Sequence, residues 1–423
     1  MRVIVLTVVL VVLFSGCGEQ ARPDGPVTIV FKHARMFGDD PVPRLVAAFE
    51  ARHPGVRVKT EALGASSDEQ HQFFVINLEG ARGRGAGVDV MMLDVIWVPE
   101  FARAGWLLDL TDSLGPGELA GHFPAAAEAA RWNGHVWALP WNFNVGLLYY
   151  RADLLVRHGL SPPRTDAELA RAVRVIQAAE RDPKLEGYVW QGRQYEGLVC
   201  NALEALWASG TTLLGPAGEV LPDAARAEAA LARLRGWIEA RLSPSWVSAA
   251  DEELTRRAFG DGRAIFLRNW FYAMDLFEEP GSPVRGKVGV APVPRVTDGV
   301  PAPGATGGSL LGVSRGSRHP EAAVAFARFL AGEDAQRVLA GGSVLPTRVA
   351  LYSDPALVAK RPHMPAFRDL AMAARPRPVT PAYLMLSTSL QPEVSAAVVG
   401  VKSPARAVAA ARHQLEHALS GLQ

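Results

Sequence analysis

Cysteine is almost missing from this chain: Cys17 and Cys200 are the only two in 423 residues. Cys17 belongs to an export signal described below, which leaves Cys200 alone. On that reading an internal disulfide and a cysteine-based metal centre are both excluded. Cys200 stands in the apolar stretch Leu198-Val199-Cys200-Asn201-Ala202-Leu203, so a small buried side chain is expected rather than a nucleophile. A surplus of either charge is missing too. Lys and Arg number 44 against 43 for Asp and Glu, a net charge of +1. No basic excess is available to neutralise phosphates, so nucleic acid is not an expected partner. Past the first residues, no apolar run reaches the roughly 20 residues that a membrane span needs; residues 145–150 and 309–313 are strand-sized. No internal repeat is visible.

Signatures of chemistry are scarce as well. Gly83-Arg84-Gly85-Ala86-Gly87 is rich in glycine, but no Lys-Ser/Thr follows it and a strand stands where a phosphate loop needs a helix. Gly308-Ser309 lacks the flanks of a nucleophile elbow. His413 and His417 are four apart on an Ala-rich terminal helix, with no third ligand at useful spacing. Asp251-Glu252-Glu253 opens a helix, where acids suit the macrodipole. No cofactor and no metal are expected.

What is present begins at the N-terminus. Met1-Arg2 is followed by an apolar run over 3–14 and by Leu13-Phe14-Ser15-Gly16-Cys17. Charge, apolar core, small residues and Cys in that order resemble a bacterial lipoprotein export signal, although Phe14 stands where such signals usually carry Leu. Residues 1–17 are then the signal, Cys17 the lipid attachment and 18–26 a tether. The expected location is the cell envelope, on a membrane anchor. About 400 residues remain, more than one core of about 250–300 residues supports, so two domains are expected. With 49% hydrophobic and 21% charged residues, the chain is globular.

Val27, Ile29 and Phe31 alternate with Thr28, Val30 and Lys32, a strand pattern. Asp40-Pro41 opens a helix with Leu45, Val46 and Phe49 on one face, ended by His53-Pro54-Gly55. Further strands are expected at 56–58 and 88–93. Strand, helix, strand is the start of an α/β domain with a parallel sheet. Asp94 follows the third strand, where ligands of open α/β sheets sit, with Trp97 nearby. A strand over 135–140 is expected to break at Pro140-Trp141-Asn142-Phe143-Asn144 and resume over 145–151. Helices are expected over 166–180, 197–209, 223–241, 252–259, 319–330 and 403–419, with Asp334 capping another. Strands are expected over 264–267 and 287–292, and a Pro/Gly-rich surface loop over 294–306.

The run Tyr188-Val189-Trp190-Gln191-Gly192-Arg193-Gln194-Tyr195-Glu196-Gly197 resembles the signature of maltose/trehalose-type solute-binding proteins of ABC importers. Other blocks fit in the same order: Asp94-Val95-Ile96-Trp97, Leu139-Pro140-Trp141, Gly146-Leu147-Leu148-Tyr149-Tyr150-Arg151, Phe266-Leu267-Arg268-Asn269-Trp270-Phe271-Tyr272 and Arg377-Pro378-Val379-Thr380-Pro381. The resemblance covers nearly the whole chain after Cys17. It implies an α/β periplasmic-binding-protein fold, with two lobes joined by crossing strands and a ligand cleft between them. The lobes are expected at 27–143 with 293–331, and at 144–292 with 332–423. It also implies a monomeric, non-catalytic protein that carries a mono-, di- or small oligosaccharide to permease subunits.

A sugar offers apolar C–H faces to aromatic rings and hydroxyls to planar polar groups. By resemblance, Trp270 and Tyr272 contact the sugar, Asp94 accepts its hydroxyls and Arg377 clamps it, with Arg375 a competitor. Asn142 and Asn144 stand where relatives carry Tyr and Asp, and Ser309, after Gly307-Gly308, where several carry a stacking Trp. Trp97, Trp141, Trp190, Tyr195 and Gly308 complete the expected ligand set. Two other readings stay open: an envelope-anchored glycoside hydrolase or lyase using Asp94 and Glu196, and a sugar sensor subunit.

Overall fold

The computed structural model describes residues 25–420, apart from 35–39, 65–66, 82–86, 116, 297–298, 300–301 and 343. The export signal, Cys17, most of the tether and most of the Gly83–Gly87 loop lie outside the described residues.

The described residues form ten strands: β1 (Val27–Ala34), β2 (Val56–Leu63), β3 (Val90–Asp94), β4 (Arg131–Trp132), β5 (His135–Val136), β6 (Ala138–Arg151), β7 (Glu186–Val189), β8 (Ala264–Trp270), β9 (Val288–Ala291) and β10 (Thr306–Val313). β4 and β5 form a small hairpin. The other eight form one sheet in the order β2-β1-β3-β10-β6-β8-β7, with β9 on β6. β1 runs parallel to β2 and β3, and β10 antiparallel to β3 and β6.

Local sequence explains the entry into this sheet. Ile29 and Phe31 of β1 are fully buried, as their alternation requires. The Asp40 carboxylate accepts the Val42 N–H at 2.9 Å and opens the helix Val42–Arg52, which buries Val42, Leu45 and Phe49.

β6 holds the molecule together. Its residues 138–145 pair with β10, and its residues 146–151 pair with β8 and β9. The expected break at Pro140–Asn144 is corrected: the strand is continuous over 14 residues. The pairing steps from Ser309–Asn142 to Leu310–Pro140, which leaves Trp141 as an extra residue in a bulge. A bulge accommodates proline, which has no N–H to give the ladder. Asp334 is corrected as well. Gly332 precedes the helix Glu333–Ala340, and Asp334 lies in its first turn, paired with Arg52 at 3.0 Å.

The core divides in two. One cluster is built on β1, β3, the start of β6 and β10, with Phe49, Phe74, Phe101 and Phe326. The other is built on the end of β6, β7 and β8, with the helices Glu196–Ala208, Ala224–Glu239 and Tyr383–Val398. Inside the second, Arg268 is fully buried and donates Nη2 and Nε to Glu204 at 2.6 and 3.0 Å. Glu204 also accepts the Ala305 N–H at 2.9 Å, which ties the approach to β10 to this core.

Candidate functional site

A cavity of about 460 Å³ lies where β3, β6 and β10 meet the second core. The first core contributes Asp94 at the end of β3 and Ser67 and Gln70 from the helix Ser67–Ala81. β6 contributes Asn142 and Asn144, and β10 contributes Gly307, Gly308 and Ser309. Opposite them stand Tyr195, Glu196, Glu252, Trp270, Tyr272 and Arg377.

Gly308 has φ +108°, a conformation that disfavours any side chain. A Cβ there would lie 2.4 Å from the Asn142 carbonyl oxygen, so glycine lets β10 approach β6 beside the cavity. Gly307 likewise leaves room for the Trp270 ring.

Arg377 organises one end of the site. Its Nη2 donates to Asp94 at 2.7 Å, its Nη1 to Glu196 at 2.8 Å and its Nε to the Thr306 carbonyl at 3.0 Å. Glu196 also accepts from the Tyr383 and Ser387 hydroxyls at 2.6 and 2.5 Å. Burial pushes the Glu196 carboxyl above its ordinary pKa, against the pull of Arg377. Burial opposes the charge of Arg377, but Asp94 and Glu196 outweigh it and hold the guanidinium well above its usual value. Asp94 accepts from the Ser67 hydroxyl at 3.1 Å as well.

The opposite end is an aromatic wall braced by acids. Glu252 accepts from the Tyr195 hydroxyl at 2.5 Å and from Trp270 Nε1–H at 3.2 Å. Glu253 accepts from the Tyr272 hydroxyl at 3.0 Å. Arg268 stacks on the Trp270 ring, 4.2 Å from its centroid. Between the two ends, Asn144 Oδ1 is buried and has no hydrogen-bond partner.

Nine residues expected from sequence line this cavity together: Asp94, Asn142, Asn144, Tyr195, Trp270, Tyr272, Gly308, Ser309 and Arg377. Three do not, and their placement is corrected. Trp97 is buried among His71, Phe74 and Phe101. Trp141 is fully buried at the bulge, with its carbonyl accepting from Gln336. Trp190 is fully buried, donating to Ser243 at 3.1 Å and packed edge-on against Trp237. Each indole points into a core and has no face left for a ligand. Ser67 and Gln70 carry no signal in the sequence, where no helix is expected around them, and Glu252 and Glu253 stand there only as helix-opening acids. Cys200 is buried as expected, yet it lies against the cavity, its thiol 3.8 Å from Glu196.

The chain matches the bacterial extracellular solute-binding protein family over residues 39–337. A probable ABC transporter-binding protein of Deinococcus radiodurans is 36% identical over 337 residues, 78% of each chain. An uncharacterized lipoprotein in the oleD 5′ region of Streptomyces antibioticus is 27% identical over 390 residues, 89% of this chain and 83% of that one. Among solved structures, maltose-bound T. maritima MalE3 superposes with a TM-score of 0.84 at 35% identity, over 92% of this chain and 99% of its own. The sugar-binding protein MalE of Xanthomonas citri shares the fold, with a TM-score of 0.76 at 21% identity, over 94% of this chain and 98% of its own. With two cores astride one cleft and a family match over most of its length, the chain belongs to the bacterial extracellular solute-binding proteins, the non-catalytic binding components of ABC transporters.

Proposed function

We propose that this protein binds a small carbohydrate in its cleft and delivers it to the permease of an ABC transporter. One juxtaposition carries the reading. Trp270, Tyr195 and Tyr272 line the same cavity as Asp94 and the unpaired Asn144 Oδ1. Aromatic rings suit the C–H faces of a pyranose, and fixed acceptors suit its hydroxyls. A buried acceptor without a donor costs about 1–3 kcal/mol, which a ligand hydroxyl at Asn144 would recover. The volume of about 460 Å³ falls within the range of small-molecule sites. The maltose held by T. maritima MalE3 supports the same class. Ser309, where relatives place a Trp, shortens the aromatic platform and favours a compact or more polar ligand over a long glucan.

On this reading the two cores are two lobes that close about a hinge, with β6 as one crossing strand. Ala335 and Leu339 pack in the first core, which supports a return crossing later than residue 331. Lipid on Cys17 would hold a monomeric receptor at the membrane and raise its effective concentration at the permease.

A thermal-shift screen over mono- and disaccharides tests the proposal, because a ligand that binds only the folded state raises its stability by mass action. At least one sugar is expected to raise Tm, with the shift reduced in Trp270→Ala and in Asp94→Ala. Stabilisation by an amino acid and by no sugar would overturn it.

A further inference from the structure

The charges of the cleft are unevenly balanced. Both arginines that line it are engaged by the protein itself: Arg377 by Asp94, Glu196 and the Thr306 carbonyl, and Arg193 by Asp251 at 2.9 Å and the Tyr195 ring. Glu253 has its own cation, Arg256, at 2.7 Å. Glu252 does not. Its two oxygens are held by a phenol and an indole N–H; no Lys or Arg among the described residues makes an ion pair with it, and the cation whose charge reaches it, Arg268 against the Trp270 ring, is already paired with Glu204. It is half-buried on the cavity wall, and the two side chains that hold it line the same cavity.

Glu252 opens the helix Glu252–Gly260, whose dipole favours an acid there but does not neutralise it. A carboxylate withdrawn from water without a counter-charge is strongly destabilised. A ligand that fills this cavity completes that withdrawal. A neutral sugar leaves the charge unbalanced, and a sugar acid adds to it. A protonated amine balances it, and aromatic faces beside it favour a cation further. A metal ion is less suited: among the described residues no group of three or more His, Cys, Asp or Glu side chains is placed to hold one.

Resting on the carbohydrate reading of the same cleft, we infer that the ligand is an amine-bearing saccharide whose ammonium group sits at Glu252, beside Tyr195 and Trp270. Glu252 is then the residue that sets specificity by charge. Arg377, buried and paired with both Asp94 and Glu196, is an internal counter-ion and is not the anchor for an anionic sugar.

The test compares D-glucosamine, D-galactosamine and the glucosamine disaccharide with their neutral parents and with D-glucuronate, by thermal shift and then calorimetry. An amino sugar is expected to bind tightest and the acid not at all. Glu252→Gln is expected to weaken the amino sugar on the order of tenfold or more and the neutral parent far less. Raising the salt concentration is expected to weaken the amino sugar selectively, a readout that needs no variant. Tighter binding of the neutral parents would overturn this inference alone. So would equal weakening of both classes by Glu252→Gln, which would make Glu252 a brace for the aromatic wall. No shift with any sugar would overturn this inference and the carbohydrate reading together.

Discussion

Arg377 donates to Asp94 at 2.7 Å across 283 residues of sequence, and the same guanidinium holds Glu196 at 2.8 Å. Asp94 ends a strand of the first core, and Glu196 begins a helix of the second. Arg377→Met leaves two carboxylates facing each other without a cation. It is expected to lower stability by about 3 kcal/mol, read from urea unfolding. Arg377→Lys should recover only part of this, because one ammonium cannot fork to two acids as a guanidinium does.

Gly308 sets the spacing of β10 and β6 beside the cavity. Gly308→Ala must accept both a positive φ and a Cβ 2.4 Å from the Asn142 carbonyl oxygen. A loss of about 2 kcal/mol or more is expected, measured as a lower Tm. Gly299→Ala, which also has positive φ but meets nothing within 4 Å, should cost less.

Two histidines give the protein an acid limit. Burial lowers the pKa of His122 to about 3 and that of His363 to about 4, each helped by a nearby arginine, Arg348 and Arg361 respectively. Unfolding returns both to about 6.5. Each therefore contributes stability that is fully present above about pH 6.5 and is lost as pH falls toward 3–4, because the unfolded chain takes up protons that the folded one refuses. The urea midpoint should decline between pH 6.5 and 4, and His363→Gln should flatten that decline.

Asn144 separates stability from binding. Its Oδ1 is buried without a partner, so removing it takes away an unsatisfied acceptor. Asn144→Leu is expected to change unfolding free energy by less than about 1 kcal/mol, or to raise it. Sugar affinity should fall on the order of tenfold, read by calorimetry. Unchanged affinity would remove Asn144 from the ligand set.

Much of this protein is legible along the chain. The helix over Asp166–Glu180 has the expected bounds, and the Thr165 hydroxyl caps its N-terminus by accepting the Glu168 N–H. The strand expected over 264–267 is present and runs on through Arg268 and Asn269 to Trp270. Asp94, Trp270 and Tyr272 stand out by type and by the blocks that carry the family resemblance, whereas Glu252 and Glu253 do not. The helix Tyr383–Val398 was hidden by Pro392 inside it, and β6 by a proline that its bulge absorbs. The tryptophans mark the limit. Trp97, Trp141, Trp190 and Trp270 all follow strand-like runs, and only Trp270 faces the cavity.

Composition and local pattern by themselves determined an α/β chain with too little cysteine for an internal disulfide and no surplus charge for nucleic acid, while the cleft residues were implied by the family resemblance of their blocks. They could do so because periodicity and residue type act over a few neighbouring positions. Tertiary structure alone decided which indoles are core, that Arg377 is already bound to Asp94 and Glu196, and that Glu252 accepts from Tyr195 and Trp270. Those outcomes depend on partners tens to hundreds of residues away, and on which polar groups burial leaves without one.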